Sequence, residues 1–274
     1  SLRKAIYIPF PQALPAVTVV DKEHCLYLTK GVCRICEKFC PSGALDFEQT
    51  PQEMEVGVGA IIVATGFEVF NARSKSEYGY GRYPNVITGL GLERLLSASG
   101  PTGGQLLRLS DGRIPSKIAF IQCVGSRDEM TVNLNCSRVC CMYATKQAVL
   151  SKEHVQGVDV ALFYTDLRAY GKGFEELYRR AEKEFGIRFV RGLVSEVIEE
   201  SETKSLVLRV EDTDTGELLE EEFDMVVLST GLMPPGDSKT LGETLDIPRG
   251  VDGFFTSSDP ELSSVVTPSK GVFI

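Results

Sequence analysis

Eight cysteines in two sets of four constrain this chain more than any other feature. The first set is Cys25, Cys33, Cys36 and Cys40. The second is Cys123, Cys136, Cys140 and Cys141. A secreted disulfide framework is the first reading to weigh, and it suits short chains that lack a core. This chain has 274 residues, 43% of them hydrophobic, enough for one large domain or two modest ones. Its start, Ser1-Leu-Arg-Lys-Ala-Ile, is charged with no apolar stretch behind it, so it does not read as a signal peptide. A cytoplasmic protein is expected, where clustered cysteines bind metal or do redox chemistry. The net charge of −9 argues against nucleic acid or an anionic membrane as partner. No apolar run reaches the roughly 18 residues of a membrane span. The longest, around Val56–Phe67, is broken by glycines and fits a buried strand. The chain starts without Met and stops at Lys270-Gly-Val-Phe-Ile274, in mid-strand, as expected of a piece of a longer protein.

The first set ends in Cys33-x2-Cys36-x3-Cys40-Pro41, the tail of a bacterial ferredoxin run, behind a gap stretched to seven residues after Cys25. Short gaps let one loop wrap several thiolates round a cube. Pro41 stops helical continuation, and Pro41-Ser-Gly-Ala-Leu-Asp46 continues as ferredoxins do. A zinc knuckle is the plainer reading of four thiolates with a close pair. In two-cluster ferredoxins the fourth cysteine of a run serves the other cluster, which would leave Cys25, Cys33 and Cys36 needing a ligand from elsewhere.

In the second set Cys123 ends a strand (Ser116-Lys-Ile-Ala-Phe-Ile-Gln-Cys123), and Cys136, Cys140 and Cys141 open a helix. At that spacing Cys136 and Cys140 share a face, with Cys141 about 100° further round. A helix N-terminus favours thiolates. The arrangement suits a cluster cage. It also suits cysteines packed as small hydrophobes, or a redox-active vicinal pair at Cys140–Cys141.

The pattern places a Pro-rich lead-in over residues 1–15 and a ferredoxin-like piece over 17–50. Buried parallel strands are read at Val56–Ala64, ending in Ala64-Thr65-Gly66, and at Asp224–Ser229, ending in Thr230-Gly231. Residues 71–115 read as a connection with one short helix, Gly91–Ser97. From Ser116 come a strand (117–122), a helix (137–153), a strand (158–164), an amphipathic helix (173–185, with Phe174, Leu177, Tyr178 and Ala181 in phase) and a strand (Ile187–Val190). Antiparallel strands follow over 193–211 and 217–229, turning at Asp212-Thr-Asp-Thr-Gly216. This α/β layout is that of a Rossmann-like nucleotide-binding domain in two-domain flavoproteins. The expected domains are 1–54, ferredoxin-like with its lead-in; 55–115, a flavin-domain strand and connection; 116–231, the nucleotide-domain-like part with the second cysteine set; and 232–274, a return into the flavin domain.

Such a domain places G-x-G-x-x-G after its first strand to take a pyrophosphate. Here that place reads Gln122-Cys123-Val124-Gly125-Ser126-Arg127. The cysteine loop stands where the glycine loop would, so no nicotinamide binding is expected. Asp166, near the end of the next strand, is placed to reach a ribose hydroxyl, but with no glycine loop it reads as a solvated loop acid.

Several segments are similar to the heterodisulfide reductase A family of iron–sulfur flavoproteins: Cys123-Val-Gly-Ser-Arg-Asp, Cys136-Ser-Arg-Val-Cys-Cys-Met-Tyr-Ala-Thr-Lys-Gln, Tyr170-Gly-Lys-Gly-Phe-Glu-Glu and Tyr78-Gly-Tyr-Gly-Arg-Tyr-Pro-Asn-Val-Ile-Thr. The resemblance runs from about Val17 to Ile274. It implies a thioredoxin-reductase-like core binding FAD, with a ferredoxin-like insertion around Cys25–Cys40. It implies a [4Fe–4S] cluster at Cys123, Cys136, Cys140 and Cys141 close to the flavin. Lys146 and Glu93 would approach the flavin ring, where each would otherwise read as a solvated helix residue. Thr65, Gly66, Thr230 and Gly231 join Lys146 as expected cofactor-binding positions. The implied partners are heterodisulfide reductase B and C subunits, a hydrogenase or dehydrogenase module, and ferredoxin, in electron bifurcation or confluence. The FAD glycine fingerprint is not in the chain. The rival readings are an NAD(P)H-dependent disulfide oxidoreductase and a zinc-stabilised scaffold.

Overall fold

The computed structural model describes residues 4–9, 12–131 and 133–274. Residues 1–3, 10 and 11 of the expected lead-in lie outside the described residues. The chain divides into two units, Ser1–Val58 and Gly59–Ile274.

In the first unit β1 (Ile6–Tyr7) pairs antiparallel with β2 (Val19–Val20). Two short helices follow, α1 (Leu26–Lys30) and α2 (Ile35–Lys38). α1 starts directly after Cys25. It stops at Gly31, whose left-handed backbone (φ 68°) turns its N–H onto the Tyr27 carbonyl. Neither helix buries a residue. Among the described residues of this unit only Ala13 is buried, while Leu26, Val32, Ile35 and Phe39 are exposed. Local order comes from Tyr27 and Phe47, with ring centres 4.7 Å apart, and from the Arg34 guanidinium over both rings.

The second unit holds β3 (Ile61–Ile62), β4 (Glu68–Val69), β5 (Val86–Thr88), α3 (Gly89–Leu96), β6 (Lys117–Val124), α4 (Cys140–His154), β7 (Asp159–Tyr164), α5 (Phe174–Lys183), β8 (Arg188–Glu199), β9 (Leu206–Asp212), β10 (Glu217–Phe223), β11 (Met225–Thr230), β12 (Leu232–Met233), α6 (Ser238–Leu245) and β13 (Val272–Phe273). The main sheet runs β10-β9-β8-β7-β6-β11-β5. β5, β11, β6, β7 and β8 are parallel, and β9 and β10 extend them as an antiparallel ribbon. The strand period of two gives this sheet two cores. Ile118 and Phe120 of β6 pack with Leu92 of α3, Ala144 and Ala148 of α4 and Ala181 of α5. Ala119 and Ile121, on the other face, pack with Phe163, Leu206, Leu208 and Phe223. The unit is therefore α/β, as the strand–helix alternation predicts.

Polar bolts fix the end of the sheet away from the cysteines. The Asp224 carboxylate accepts from Ser116 N (2.7 Å), Ser116 Oγ (2.6 Å) and Lys117 N (3.1 Å), and pairs with Arg108 Nη1 at 2.7 Å. Burial pulls the Asp224 carboxyl up, but the Ser116 and Lys117 donors and the Arg108 cation hold it below the usual range. Asn85, wholly buried, donates to Ser110 Oγ and to the Lys204 carbonyl, both at 2.9 Å.

Four expectations are corrected. The helix expected from residue 137 starts at Cys140, so Cys136 sits in the preceding loop and shares no helix face with Cys140. The strand expected at Val56–Ala64 is only Ile61–Ile62, parallel to β13, with Ile62 77% exposed. Apolar composition reports fitness for burial, and burial needs a covering layer; among the described residues β13 is the only strand beside β3. Residues 71–115 do more than connect: β5 is an edge strand of the main sheet, and the buried Tyr78 donates its hydroxyl to the Val194 carbonyl (3.2 Å). The strands expected at 187–190 and from 193 are one, β8, with a register shift between Val194 and Glu196. In α5 only Ala181 is buried. Tyr178 instead meets Phe189 edge-on at 4.7 Å.

Candidate metal centres

Parallel strands β6 and β7 end side by side, and the second cysteine set is built on their ends. Cys123 is the last residue but one of β6 and takes a left-handed backbone, φ 59°. The chain then turns at Gly125 (φ 72°), where a Cβ would lie 2.2 Å from the Phe70 ring, so only glycine fits. The loop to α4 is tied to itself and to β12. Arg127 N donates to the Asn135 carbonyl (3.2 Å), Asn133 Nδ2 to the Gly125 carbonyl (2.7 Å), and Leu232 N to Ser137 Oγ (2.8 Å); the Ser126 and Ser137 hydroxyls are 2.7 Å apart. These bonds deliver Cys136 beside Cys123. α4 then opens on Cys140 and Cys141, both buried.

The four thiols are close enough to interact: Cys140 with Cys123, Cys141 and Cys136, and Cys123 with Cys141 and Cys136. Burial pushes Cys140 up to about 12 and raises Cys123 and Cys141. The expectation that the helix N-terminus would favour thiolates is thus overridden by desolvation. A bound cation reverses that balance, because a coordinated thiol is deprotonated outright. The existing sulfur contacts are weak or one-sided. Cys140 and Cys141 each reach a carbonyl at 3.7 Å, of Thr230 and Asp166, and Arg138 N donates to Cys136 Sγ at 3.3 Å. Four soft, water-poor donors brought from a rigid strand, a tied loop and a helix end have the donor chemistry of a metal cluster or of zinc, and no three of these sulfurs lie within 4.8 Å of one another, which is wider than the sulfurs round a single zinc ion.

In the first set Cys25 precedes α1, Cys36 lies in α2, and Cys33 (φ 83°) and Cys40 flank that helix. Cys40 Sγ is 3.4 Å from Ser42 Oγ and accepts from Ala44 N at 3.3 Å; these bonds, the serine's first, hold its thiol below the ordinary value. Cys33 and Cys36 are exposed. The donor set and its spacing in the sequence suit a cluster or a zinc ion here too, with no three of the sulfurs within 4.8 Å of one another. Strained backbone marks both sets. Of the seven non-glycine residues with positive φ among those described, five (Cys33, Arg34, Cys123, Arg127 and Arg138) lie within them.

Lys146 and Glu93, on neighbouring helices, form an ion pair with Nζ 2.7 Å from Oε1, and Gln147 Nε2 donates to the other carboxylate oxygen at 2.9 Å. Burial pulls the Glu93 carboxyl up, but these two partners outweigh it and hold it below its usual range. Glu93 also lines a cavity of about 200 Å³ with Phe67, Val69, Leu90, Tyr143 and Thr230. Its floor is the crossing of β4 and β12, which pair antiparallel. The two Thr-Gly segments immediately precede those strands. Thr230 is buried at the cavity, whereas Thr65 and Gly66 are exposed and outside its lining. Gly231 packs against the cysteine loop instead, where a Cβ would stand 2.5 Å from Ser126 Oγ.

Asp166 is a half-exposed loop acid, as expected, and it is also tied in place. Its carboxylate pairs with Arg127 Nη2 at 2.8 Å, and its carbonyl faces Cys141. Arg127, Arg168 and Tyr143 were not singled out by motif reading. The signal for the first two was topological, since the loops after adjacent parallel strands must meet.

The chain is 48% identical over its whole length to the A subunit of the H2:CoB–CoM heterodisulfide, ferredoxin reductase of Methanothermobacter marburgensis, covering 40% of that protein. It is 50% identical to an iron–sulfur A subunit of the CoB–CoM heterodisulfide reductase of Methanopyrus kandleri, covering 41% of it. It is 44% identical over 99% of its length to the A subunit of the ferredoxin:CoB–CoM heterodisulfide reductase of Methanosarcina mazei, covering 33% of it. The chain thus spans about two fifths of the first two relatives and a third of the last. No family model matches. Among solved structures, thioredoxin reductases of T. acidophilum and Lactococcus lactis align over 78% and 98% of the chain, at 14% and 16% identity and TM-scores of 0.46 and 0.47; the chain covers 55% and 75% of them.

Proposed function

The chain belongs to the heterodisulfide reductase A family, and from that premise we propose that it is the electron-transfer portion of an FAD- and [4Fe–4S]-dependent oxidoreductase. The observation that carries this reading is the convergence of Cys123, Cys136, Cys140 and Cys141 where a dinucleotide fold keeps its glycine loop, next to the cavity bordered by Glu93. Clusters and a flavin bound here would exchange single electrons, and the flavin would couple those to two-electron steps. The chain's own residues prepare for that exchange. Cys123 at the strand end, Cys136 in the tied loop, and Cys140 and Cys141 at the helix start hold four sulfurs on fixed backbone. Phe67, Val69 and Tyr143 line the cavity beside them with apolar surface. The Glu93 carboxylate fixes the Lys146 ammonium, whose charge would favour an anionic reduced ring. Lys146→Ala in the full-length protein is expected to shift the flavin potentials while FAD stays bound.

The exposed first set suits exchange with a docked protein. Ferredoxin is the donor or acceptor proposed, since the names of two of these relatives include it. Heterodisulfide reductase B and C subunits and a hydrogenase or dehydrogenase module are the proposed wider assembly, with bifurcation or confluence at the flavin. The test is iron, sulfide and zinc content, with EPR after dithionite, on the anaerobically reconstituted chain. About eight irons and two reduced-cluster signals are expected, four irons per four-cysteine site. Zinc without iron after reconstitution would replace this reading with a scaffold role.

A further inference from the structure

Electron exchange at the second cysteine set leaves two charged residues beside it, Arg127 and Asp166, without a role. Arg127 sits in the turn after β6, with a left-handed backbone (φ 57°). Its guanidinium is near enough to the Cys123 sulfur for their charges to interact, and the two residues line the same cavity. On its far side the guanidinium meets the Asp166 carboxylate at 2.8 Å. Asp166 lies in the loop after β7, and its carbonyl accepts from the Cys141 thiol at 3.7 Å. The backbone of Arg168, two residues on, bonds Cys141 as well. One short loop therefore touches a helix-end sulfur through its backbone and steers a cation towards the strand-end sulfur through its side chain.

We propose that Arg127 is a positioning and tuning residue for the metal centre of the second cysteine set, held against the Cys123 sulfur by Asp166. The inference rests on the reading of that set as a cluster site. Reduction adds negative charge to a cluster, and a fixed cation beside a ligand sulfur stabilises the reduced form, so its presence raises the reduction potential. The pair is only partly exposed, 28% for Arg127 and 46% for Asp166, so solvent weakens the cation's field without abolishing it. Asp166 occupies the end of the second strand, where a dinucleotide fold places its ribose-binding acid. Here that acid serves the cluster.

The sign of one substitution separates positioning from plain electrostatics. Asp166 carries negative charge near the centre, so deleting it should by charge alone raise the potential. If its role is to hold Arg127 in place, deletion frees the cation and lowers the potential instead. The test is an EPR-monitored redox titration of the reconstituted chain with its Arg127→Gln, Arg127→Lys and Asp166→Ala variants, with iron content measured on each. Arg127→Gln is expected to cut the reduced-to-oxidised ratio of the second-set cluster about tenfold at fixed potential, equal to about 59 mV for one electron. Arg127→Lys should restore most of that loss, and Asp166→Ala should reproduce part of it, in the same direction. An unmoved potential in Arg127→Gln at full iron content, or a raised one in Asp166→Ala, overturns the proposal. Absence of a second cluster from the unsubstituted chain would instead remove the reading beneath it. Loss of iron in Arg127→Gln but not in Arg127→Lys would support the positioning role through affinity, and equal loss in both would contradict it.

Discussion

The two cysteine sets use the same chemistry on opposite kinds of ground. Around Cys25, Cys33, Cys36 and Cys40 there is almost no apolar interior: neither helix buries a residue, and Ile35 and Phe39 face solvent. Around Cys123, Cys136, Cys140 and Cys141 the sulfurs stand on a seven-stranded sheet with a packed core on each face. A unit that cannot bury enough surface must draw its stability from what it binds. A sheet that is already stable can hold donors in place and wait. On the proposed reading, one motif class would serve as the core of a fold in one place and as cargo on a fold in the other.

The largest effect that would break this comparison is in the first unit. Cys36→Ser should remove its bound metal and with it the folded structure of residues 17–50, seen as loss of dispersed amide signals there alone. Persistence of that structure without metal would show a core that the burial pattern does not. In the second unit the equivalent blow is to the bolt and not to the sulfurs. Asp224→Ala removes one of the two carboxylates paired with the nearly buried Arg108, leaving Asp111 at 3.4 Å, and leaves the Ser116 and Lys117 donors without their acceptor; it is expected to cost about 3 kcal/mol, read by denaturant unfolding of the sheet. The same pair gives a pH sign. The folded Asp224 carboxyl is held low, so its contribution is fully present above the ordinary carboxylate value of about 3.9 and is lost as pH falls through the depressed one. Acid should thus destabilise the wild-type sheet more than the variant.

A smaller effect sharpens the contrast at the seat itself. Gly231→Ala would push a methyl to 2.5 Å from Ser126 Oγ and 2.8 Å from the Gly125 carbonyl. About 1–3 kcal/mol of overpacking is expected, with slower cluster loading, because the obstructed atoms belong to the cysteine loop. The smallest effect is Lys146→Ala. Its ion pair with Glu93 is half exposed and is worth about 0.2–1 kcal/mol, so thermal stability should barely move. A large loss of stability would make that pair a structural bolt and would weaken its assignment to the flavin.

Much of this was legible in the sequence, and the remainder has physical reasons. The strand–helix alternation from Ser116 could be read because β6 and β7 are short apolar runs that end at recognisable turns, while α4, with almost no apolar periodicity, shows by its length. The Cys-x12-Cys-x3-Cys-Cys spacing pointed to one site because a strand end and a helix start flank it. The start of α4 was misplaced because Ser137, Arg138 and Val139 are compatible with helix, and what keeps them out is tertiary: Leu232 N claims Ser137 Oγ, and Arg138 takes a left-handed turn. The exposure of Ile61 and Ile62 was not readable, since composition carries no record of whether a covering strand lies alongside. The Arg127–Asp166 pair joins loops 39 residues apart, and only the parallel register of β6 and β7 brings them together.

Hydrogen exchange on the chain, iron-loaded and then iron-stripped under anaerobic conditions, tests the contrast most directly. The account predicts that stripping abolishes protection across residues 17–50. It predicts that β6, β7, β11 and α4 beyond its first turn keep theirs, with change confined to the loop between Cys123 and Cys140. Protection lost across the main sheet, or retained across residues 17–50, would contradict it.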